Sequence, residues 1–144
     1  IKLYLEELLI SLVRSNSTNR SKEKLSSLTK DKSLDDIVVA VIEYLEKNVS
    51  KNITLDDICN HFYFSKTYIK TLFKTKTGQG LISYFNELKL EEAKKLISEN
   101  EFSFTEISEK LSYSSVHYFS RCFKTYTNMT PTEYSMSIKA KGIL

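Results

Sequence analysis

The fold is decided by a segment near the carboxyl end, residues 114–134, which reads SSVHYFSRCFKTYTNMTPTEY. Phe119 and Phe123 are four residues apart, so they lie on one face of a helix, while Arg121 points away from them. Thr130 is followed at once by proline and three residues later by glutamate, a pattern that starts a helix. The segment therefore predicts two successive helices, of which the first has an apolar side and a polar side.

The same pattern occurs earlier in the chain, which therefore contains an internal repeat. Within the first copy, the residues of the first helix recur 49 positions later and those of the second helix recur 50 positions later. The second copy is therefore one residue longer between its two helices. Each copy has a short helix, a tight turn and a longer helix, as in a helix-turn-helix unit. The repeated pairs are Ile58 with Ile107, Phe62 with Leu111, Tyr68 with Tyr118, Phe73 with Phe123, and Lys74 with Lys124.

Further helix signals surround the repeat. Tyr84 and Tyr134 are also 50 residues apart, and we expect them to make equivalent packing contacts. Gly78 is suited to end the second helix of the first copy. Three capping boxes predict helix starts, formed by Thr54 with Asp57, Ser103 with Glu106, and Thr130 with Glu133.

These signals predict an all-α chain with few breakers, since it has only 3 glycines and 1 proline. Residues 34–144 are predicted to be one domain containing two homeodomain-like helix-turn-helix subdomains. We place these subdomains at about 54–78 and 103–128, joined by a long linking helix at about 81–98. Residues 1–33 are predicted to be an apolar helix and a polar linker, the remnant of an upstream regulatory or dimerisation domain.

Charge is distributed unevenly between the helices of each copy. No acidic residue occurs in 65–77 or 114–127, whereas the short helices before them carry Asp56, Asp57 and Glu106. A helix that enters a DNA major groove runs between phosphates, which attract cations and repel carboxylates. One lysine-rich helix alone is more simply a solvated face, but two repeat-related helices with the same polarity favour DNA binding.

Other classes of function find little support in the sequence. Cys59 and Cys122 are far apart and lack the spacing of metal ligands, so we expect no metal. No nucleophile with a general base can be assembled, and Gly78-Gln79-Gly80 is too short for a nucleotide-binding loop. We therefore expect no enzyme and no cofactor. No apolar stretch is long enough to span a membrane, and we expect a cytoplasmic protein without a membrane partner.

The segment 53–135 resembles the DNA-binding domain of bacterial AraC/XylS transcription regulators. A single helix-turn-helix would be weak support, but two of them with this linking helix and this ending form a specific pattern. The resembling residues are Thr54 to Ile58, Ser65 to Ile69, Leu72 to Lys74, Gly78, Lys89, Leu90, Ala93, Leu96, Tyr118 to Lys124, Thr130, Pro131 and Tyr134.

The resemblance implies about seven helices, with two recognition helices in successive major grooves of double-stranded promoter DNA. It also implies RNA polymerase as a partner. By position, base-reading residues would be Thr67, Lys70, Thr71, Val116, His117, Ser120 and Arg121. Phosphate contacts would come from Lys66, Lys74 and Lys124, with Ser65 and Ser115 as further candidates.

The sequence departs from the family pattern at three positions. Lys89 stands where the family usually has arginine, and Ser112 and Asn128 replace usual glycines. Asn128 is expected to keep its left-handed helix cap, because asparagine tolerates that conformation. Ser112 predicts a strained or locally different second turn, which would alter the aim of the second recognition helix.

The sequence allows two alternatives to DNA binding. The basic faces could contact an acidic partner protein, which would make the chain a helical interaction module. A catalytic domain is the less supported alternative. A homodimer through the N-terminal helix, or through the missing domain, also remains open, as do the effector, the promoter and the direction of regulation.

Overall fold

Seven α-helices and no strand make up the part of the chain that this computed structural model describes, residues 34–142. The all-α prediction is confirmed. The helix and linker predicted within residues 1–33 lie outside the described residues. The helices are α1 Leu34–Lys47, α2 Leu55–Phe62, α3 Lys66–Thr77, α4 Leu81–Glu99, α5 Phe104–Lys110, α6 Val116–Thr127 and α7 Pro131–Ala140.

The three predicted capping boxes are confirmed at the starts of α2, α5 and α7. At α5, the Ser103 N–H donates to Glu106 Oε2 at 2.8 Å, and the Glu106 N–H donates to Ser103 Oγ at 3.3 Å. Each box satisfies two N–H groups that the helix itself leaves without an acceptor. Local sequence therefore fixes where these helices begin.

The ends of α3 and α6 are set by residues in the left-handed conformation. Gly78 has φ 83° and donates its N–H to the Lys74 carbonyl, while Asn128 has φ 60° and donates to the Lys124 carbonyl, both at 2.8 Å. The expectation that Asn128 keeps the cap is confirmed, because its side chain tolerates positive φ.

The described residues form two compact units. Unit 1 comprises 34–45 and 53–84, and unit 2 comprises 46–52 and 85–142. The predicted linking helix is α4, which belongs to unit 1 up to Tyr84 and to unit 2 beyond it. The fully buried side chains of unit 1 include Val41, Leu45, Ile58, Ile69, Leu72 and Phe73. The core cluster of unit 2 is Leu90, Ala93, Ile97, Ile107, Leu111, Phe119, Phe123 and Ile138.

An equivalent aromatic contact occurs in both units. Phe73 meets Tyr84 edge-on with ring centroids 5.3 Å apart, and Phe123 meets Tyr134 edge-on at 5.5 Å. The predicted equivalence of the two tyrosines is confirmed. In each unit, this contact joins the second helix of the helix-turn-helix to the helix that follows it.

Lys89 is a buried cation in the core of unit 2. Its side chain is 5% exposed, and its Nζ donates to the Leu111 carbonyl at 2.8 Å, just where α5 ends. The amine also lies 5.2 Å from the Phe85 ring centroid and 5.4 Å from that of Tyr113. Burial lowers the pKa of Lys89. The lysine thus ties α4 to the turn between α5 and α6.

Replacing Lys89 with methionine should destabilise the protein by about 1–3 kcal/mol, because the buried Leu111 carbonyl loses its donor. Chemical unfolding would measure this change. Lys95→Met on the same helix is the matched control, since Lys95 is exposed and its ion pair with Glu92, at 3.8 Å, contributes little. Equal stability of the two variants would contradict the role assigned to Lys89.

The capping carboxylates should make stability fall in acid. Hydrogen bonds from the backbone and hydroxyl of Ser103 lower the pKa of Glu106 below its ordinary 4.5. Because the folded pKa is the lower one, this contribution is complete above about pH 4.5 and is lost as pH falls through the folded value. The melting-temperature gap between wild type and Glu106→Gln should therefore shrink on acidification. A gap that stays constant would be the opposite result.

Candidate nucleic-acid interface

Helix α3 buries one side and exposes a basic side. It begins after Ser65, whose Oγ accepts the Tyr68 N–H at 3.2 Å. The side chains on its inner side are Tyr68, Ile69, Leu72 and Phe73. The predicted site residues Lys66, Thr67, Lys70 and Lys74 are exposed, and Thr71 is half-buried. The structure therefore brings these five residues together on the outer side of one helix.

The cations of α3 differ in their pairing. Lys66 Nζ lies 2.7 Å from Asp56 Oδ1, and this hydrogen bond raises the pKa of Lys66. Lys76, which lies on the other side, pairs with Asp35 at 2.7 Å. Within residues 34–142, no carboxylate forms an ion pair with Lys70 or Lys74. A cavity of about 530 Å³ runs beside these two lysines, and its lining is Lys70, Thr71, Lys74, Thr75, Gly80 and Leu81.

Helix α6 has the same division into two sides. Ser115 caps it by accepting the Tyr118 N–H at 3.1 Å, and Phe119 and Phe123 are fully buried. Ser115 itself is exposed. Of the other predicted site residues, His117, Arg121 and Lys124 are exposed, and Val116 and Ser120 are half-buried. The centre of the exposed side is Arg121.

Helix α6 begins one residue farther from its turn than α3 does from the corresponding turn of unit 1. In unit 1 the Phe64 N–H donates to the Cys59 carbonyl, and in unit 2 the Tyr113 N–H donates to the Ser108 carbonyl. These equivalent bonds are 49 residues apart, whereas the capping residues of α3 and α6 are 50 apart. The extra residue of the second copy is therefore Ser114, directly before the cap of α6.

The second turn keeps the left-handed backbone conformation that a glycine usually supplies, so Ser112 adopts the conformation that is strained for a residue with a side chain. Ser112 has φ 54°, in the left-handed region, and its hydroxyl donates to the Ser50 carbonyl at 2.7 Å. This hydrogen bond holds residues 46–52 against the turn of unit 2. The equivalent residue of the first turn, Tyr63, has φ 59°, so both turns use a left-handed residue that is not glycine.

Tyr118 is an exposed aromatic residue beside Arg121 that sequence reasoning did not assign to the site. Tyr118 was paired with Tyr68, which is 3% exposed, but Tyr118 is 46% exposed. The Arg121 guanidinium carbon lies 6.0 Å from the Tyr118 ring centroid. The one-residue difference in repeat spacing was the available signal, since it moves α6 relative to its turn.

Other candidate chemistry is limited among residues 34–142. No group of histidine, cysteine and acidic residues there could hold a metal ion. Cys59 is buried and Cys122 half-buried, and both are free thiols. No described helix is both long and apolar enough to cross a membrane.

Comparison with known proteins agrees with this geometry. A family model described as a helix-turn-helix domain matches residues 58–137. The raffinose operon transcriptional regulatory protein RafR of Pediococcus pentosaceus is 34% identical over 97 residues, which cover 67% of this chain and 35% of that protein.

Two solved structures have a similar fold. A transcriptional regulator with an AraC-type DNA-binding domain from Chromobacterium violaceum matches with a TM-score of 0.64 at 26% identity, covering 69% of this chain and 88% of that one. The DNA-binding domain of AdpA, solved with a target DNA, has a TM-score of 0.68. It is 14% identical and covers 72% of this chain and 94% of that one, so it supports the fold alone.

The chain belongs to the AraC family, and it contains the helix-turn-helix domain with which such transcription regulators bind DNA sequence-specifically. The chain spans about a third of the length of RafR.

Removing Asp56 should strengthen DNA binding, because Asp56 neutralises Lys66. An exposed ion pair contributes about 0.2–1 kcal/mol, so Asp56→Asn should raise affinity by up to about fivefold. The slope of the logarithm of affinity against the logarithm of salt concentration should also become steeper by about one, because one more counterion is released. Fluorescence anisotropy with a duplex would measure both. Asp35→Asn makes the same change in net charge at Lys76, and an equal gain from both variants would contradict a specific role for Asp56.

Proposed function

We propose that α3 and α6 act as two recognition helices, which read successive major grooves of promoter DNA. The observation that carries this proposal is the exposed side of each helix, which is basic or neutral polar and has no carboxylate. Because DNA phosphates line both edges of the groove, such a side can enter where an acidic one could not.

The two helices have different chemical means of reading bases. On α6, Arg121 can donate two hydrogen bonds to guanine, and His117 and Ser120 stand beside it. On α3, Thr67, Lys70 and Thr71 offer fewer paired donors. We therefore assign most of the sequence discrimination to α6 and a larger share of phosphate contacts to α3.

Phosphate contacts are assigned to cations at the margins of these faces. Lys74 and Lys124 are exposed and occupy equivalent positions in the repeat. Lys66 joins them once its bond to Asp56 is exchanged for a phosphate. Ser65 and Ser115 are weaker candidates, because the oxygen of each already accepts a backbone N–H at a helix start.

Partners beyond DNA follow from the same proposal. A regulator at a promoter works beside RNA polymerase in the cytoplasm, and we expect no catalytic activity of its own. We also propose that the protein can form a homodimer, either through residues 1–33 or through a further domain. Sedimentation with and without residues 1–30 tests the first form, and an unchanged monomer in both would remove it.

A steep salt dependence of binding to a specific duplex distinguishes DNA binding from binding of an acidic protein partner. About six to ten phosphate contacts should cost roughly a thousandfold or more in affinity between about 50 and 200 mM salt. Titrations with a duplex selected from random sequence would measure this slope. Affinity that stays flat in salt and does not depend on duplex sequence would overturn the proposal.

The division of roles can be tested with two substitutions on the recognition helices. Arg121→Ala should reduce preference at one base position by about 1–3 kcal/mol, because it removes a bidentate contact. Lys74→Ala should weaken binding to all duplexes alike. Lys95→Ala on α4 is the control and should change neither quantity. The reverse pattern for Arg121 and Lys74 would show that the faces are wrongly assigned.

A further inference from the structure

An aromatic side chain stands on the exposed side of α6 without an equivalent on α3. Tyr118 is 46% exposed, while its repeat partner Tyr68 is 3% exposed in the core of unit 1. Burying an aromatic ring is strongly favourable. The Tyr118 ring has its centroid 6.1 Å from that of Tyr113, yet about half of the residue stays in solvent beside Arg121.

The extra residue Ser114 accounts for this exposure. It lies between the hydrogen-bonded turn at Tyr113 and the cap of α6 at Ser115, where unit 1 has no counterpart. Its effect is visible in burial, since α3 buries both Tyr68 and Leu72, whereas the corresponding Tyr118 is exposed and Cys122 is only half-buried. The exposed side of α6 has therefore shifted around the helix toward Tyr118.

Helix geometry places Tyr118 close to the residue at the centre of that side. At about 100° per residue, Tyr118 is about 60° from Arg121 around the helix axis, on its flank. The Arg121 guanidinium carbon is 6.0 Å from the Tyr118 ring centroid. Tyr126 is similarly exposed, at 42%, but lies about 140° from Arg121.

The chemistry of the major groove suggests what such a ring would contact. The C5-methyl of thymine is the apolar group that base pairs present there, and apolar side chains recognise it. A phenol ring is a poor ligand for a phosphate through its faces. Arg121 donates to guanine, so a ring packed against it would meet the neighbouring base.

We propose that Tyr118 is a specificity-determining residue, whose ring contacts the methyl group of a thymine next to the guanine read by Arg121. This inference rests on the proposed function of α6. It extends that function, because neither the family resemblance nor the repeat places a base contact at position 118.

Replacing thymine with uracil tests the contact, because uracil lacks only the methyl group. Burial of one such group is worth about 0.8 kcal/mol, or roughly fourfold in affinity. On a selected duplex, wild type should lose about fourfold when that thymine becomes uracil. Tyr118→Phe keeps the ring, so its affinity should also fall about fourfold when that thymine becomes uracil. Tyr118→Ala lacks the ring and should bind the thymine and uracil duplexes equally.

Tyr126→Ala is the matched control, since it removes a similarly exposed ring from the same helix. It should keep the fourfold preference for thymine. Far-UV circular dichroism and melting temperature would show that each variant is folded, and Tyr118 is exposed enough for truncation to be tolerated.

Three results would overturn the inference. These are a Tyr118→Ala variant that still prefers thymine over uracil, a Tyr118→Phe variant that loses the preference, and selected duplexes with no thymine beside the guanine. If Arg121→Ala still abolishes the preference for guanine in any of these cases, the proposed function stands and only the role of Tyr118 is wrong. If wild type binds no duplex sequence-specifically, both the inference and the proposed function are wrong.

Discussion

Each unit depends on one buried phenylalanine near the middle of its second helix. Phe73 and Phe123 are fully buried, and each meets edge-on a tyrosine from the helix that follows, Tyr84 or Tyr134. Edge-on aromatic pairs contribute about 0.5–1.5 kcal/mol beyond the burial of their surface. Because this contact holds the inner side of α3 and α6, the outer side is left to solvent and its residues can serve recognition.

The placement of carboxylates keeps that outer side basic. Asp57 and Glu106 sit at the starts of α2 and α5, where capping hydrogen bonds lower the pKa of each and favour its charged form. Helices α2 and α5 thus use acidic residues for their own stability, whereas α3 and α6 carry none. Asp56 is the exception among residues 34–142, because it pairs with an outer-side cation, Lys66. Under the proposed function, Asp56 would compete with DNA for that cation.

Local features of the fold could be predicted from the sequence, and long-range ones could not. The capping boxes and the Asn128 cap depend on residues within one turn of helix, so their pattern was sufficient. The hydrogen bond from Lys89 to the Leu111 carbonyl joins residues 22 apart, and that from Ser112 to Ser50 joins residues 62 apart. The exposure of Tyr118 did not follow from its pairing with Tyr68, because that pairing gives no orientation for the two second helices and the second copy has one inserted residue.

Protection of guanine N7 from methylation, on a duplex selected by the protein, tests the central claim most directly. N7 lies on the major-groove edge of guanine, where a recognition helix would cover it. The two-helix arrangement predicts two separate protected patches, and Arg121→Ala should expose a guanine in one patch while the other stays protected. A single protected patch, or a pattern unchanged by Arg121→Ala, would contradict reading of DNA by both α3 and α6.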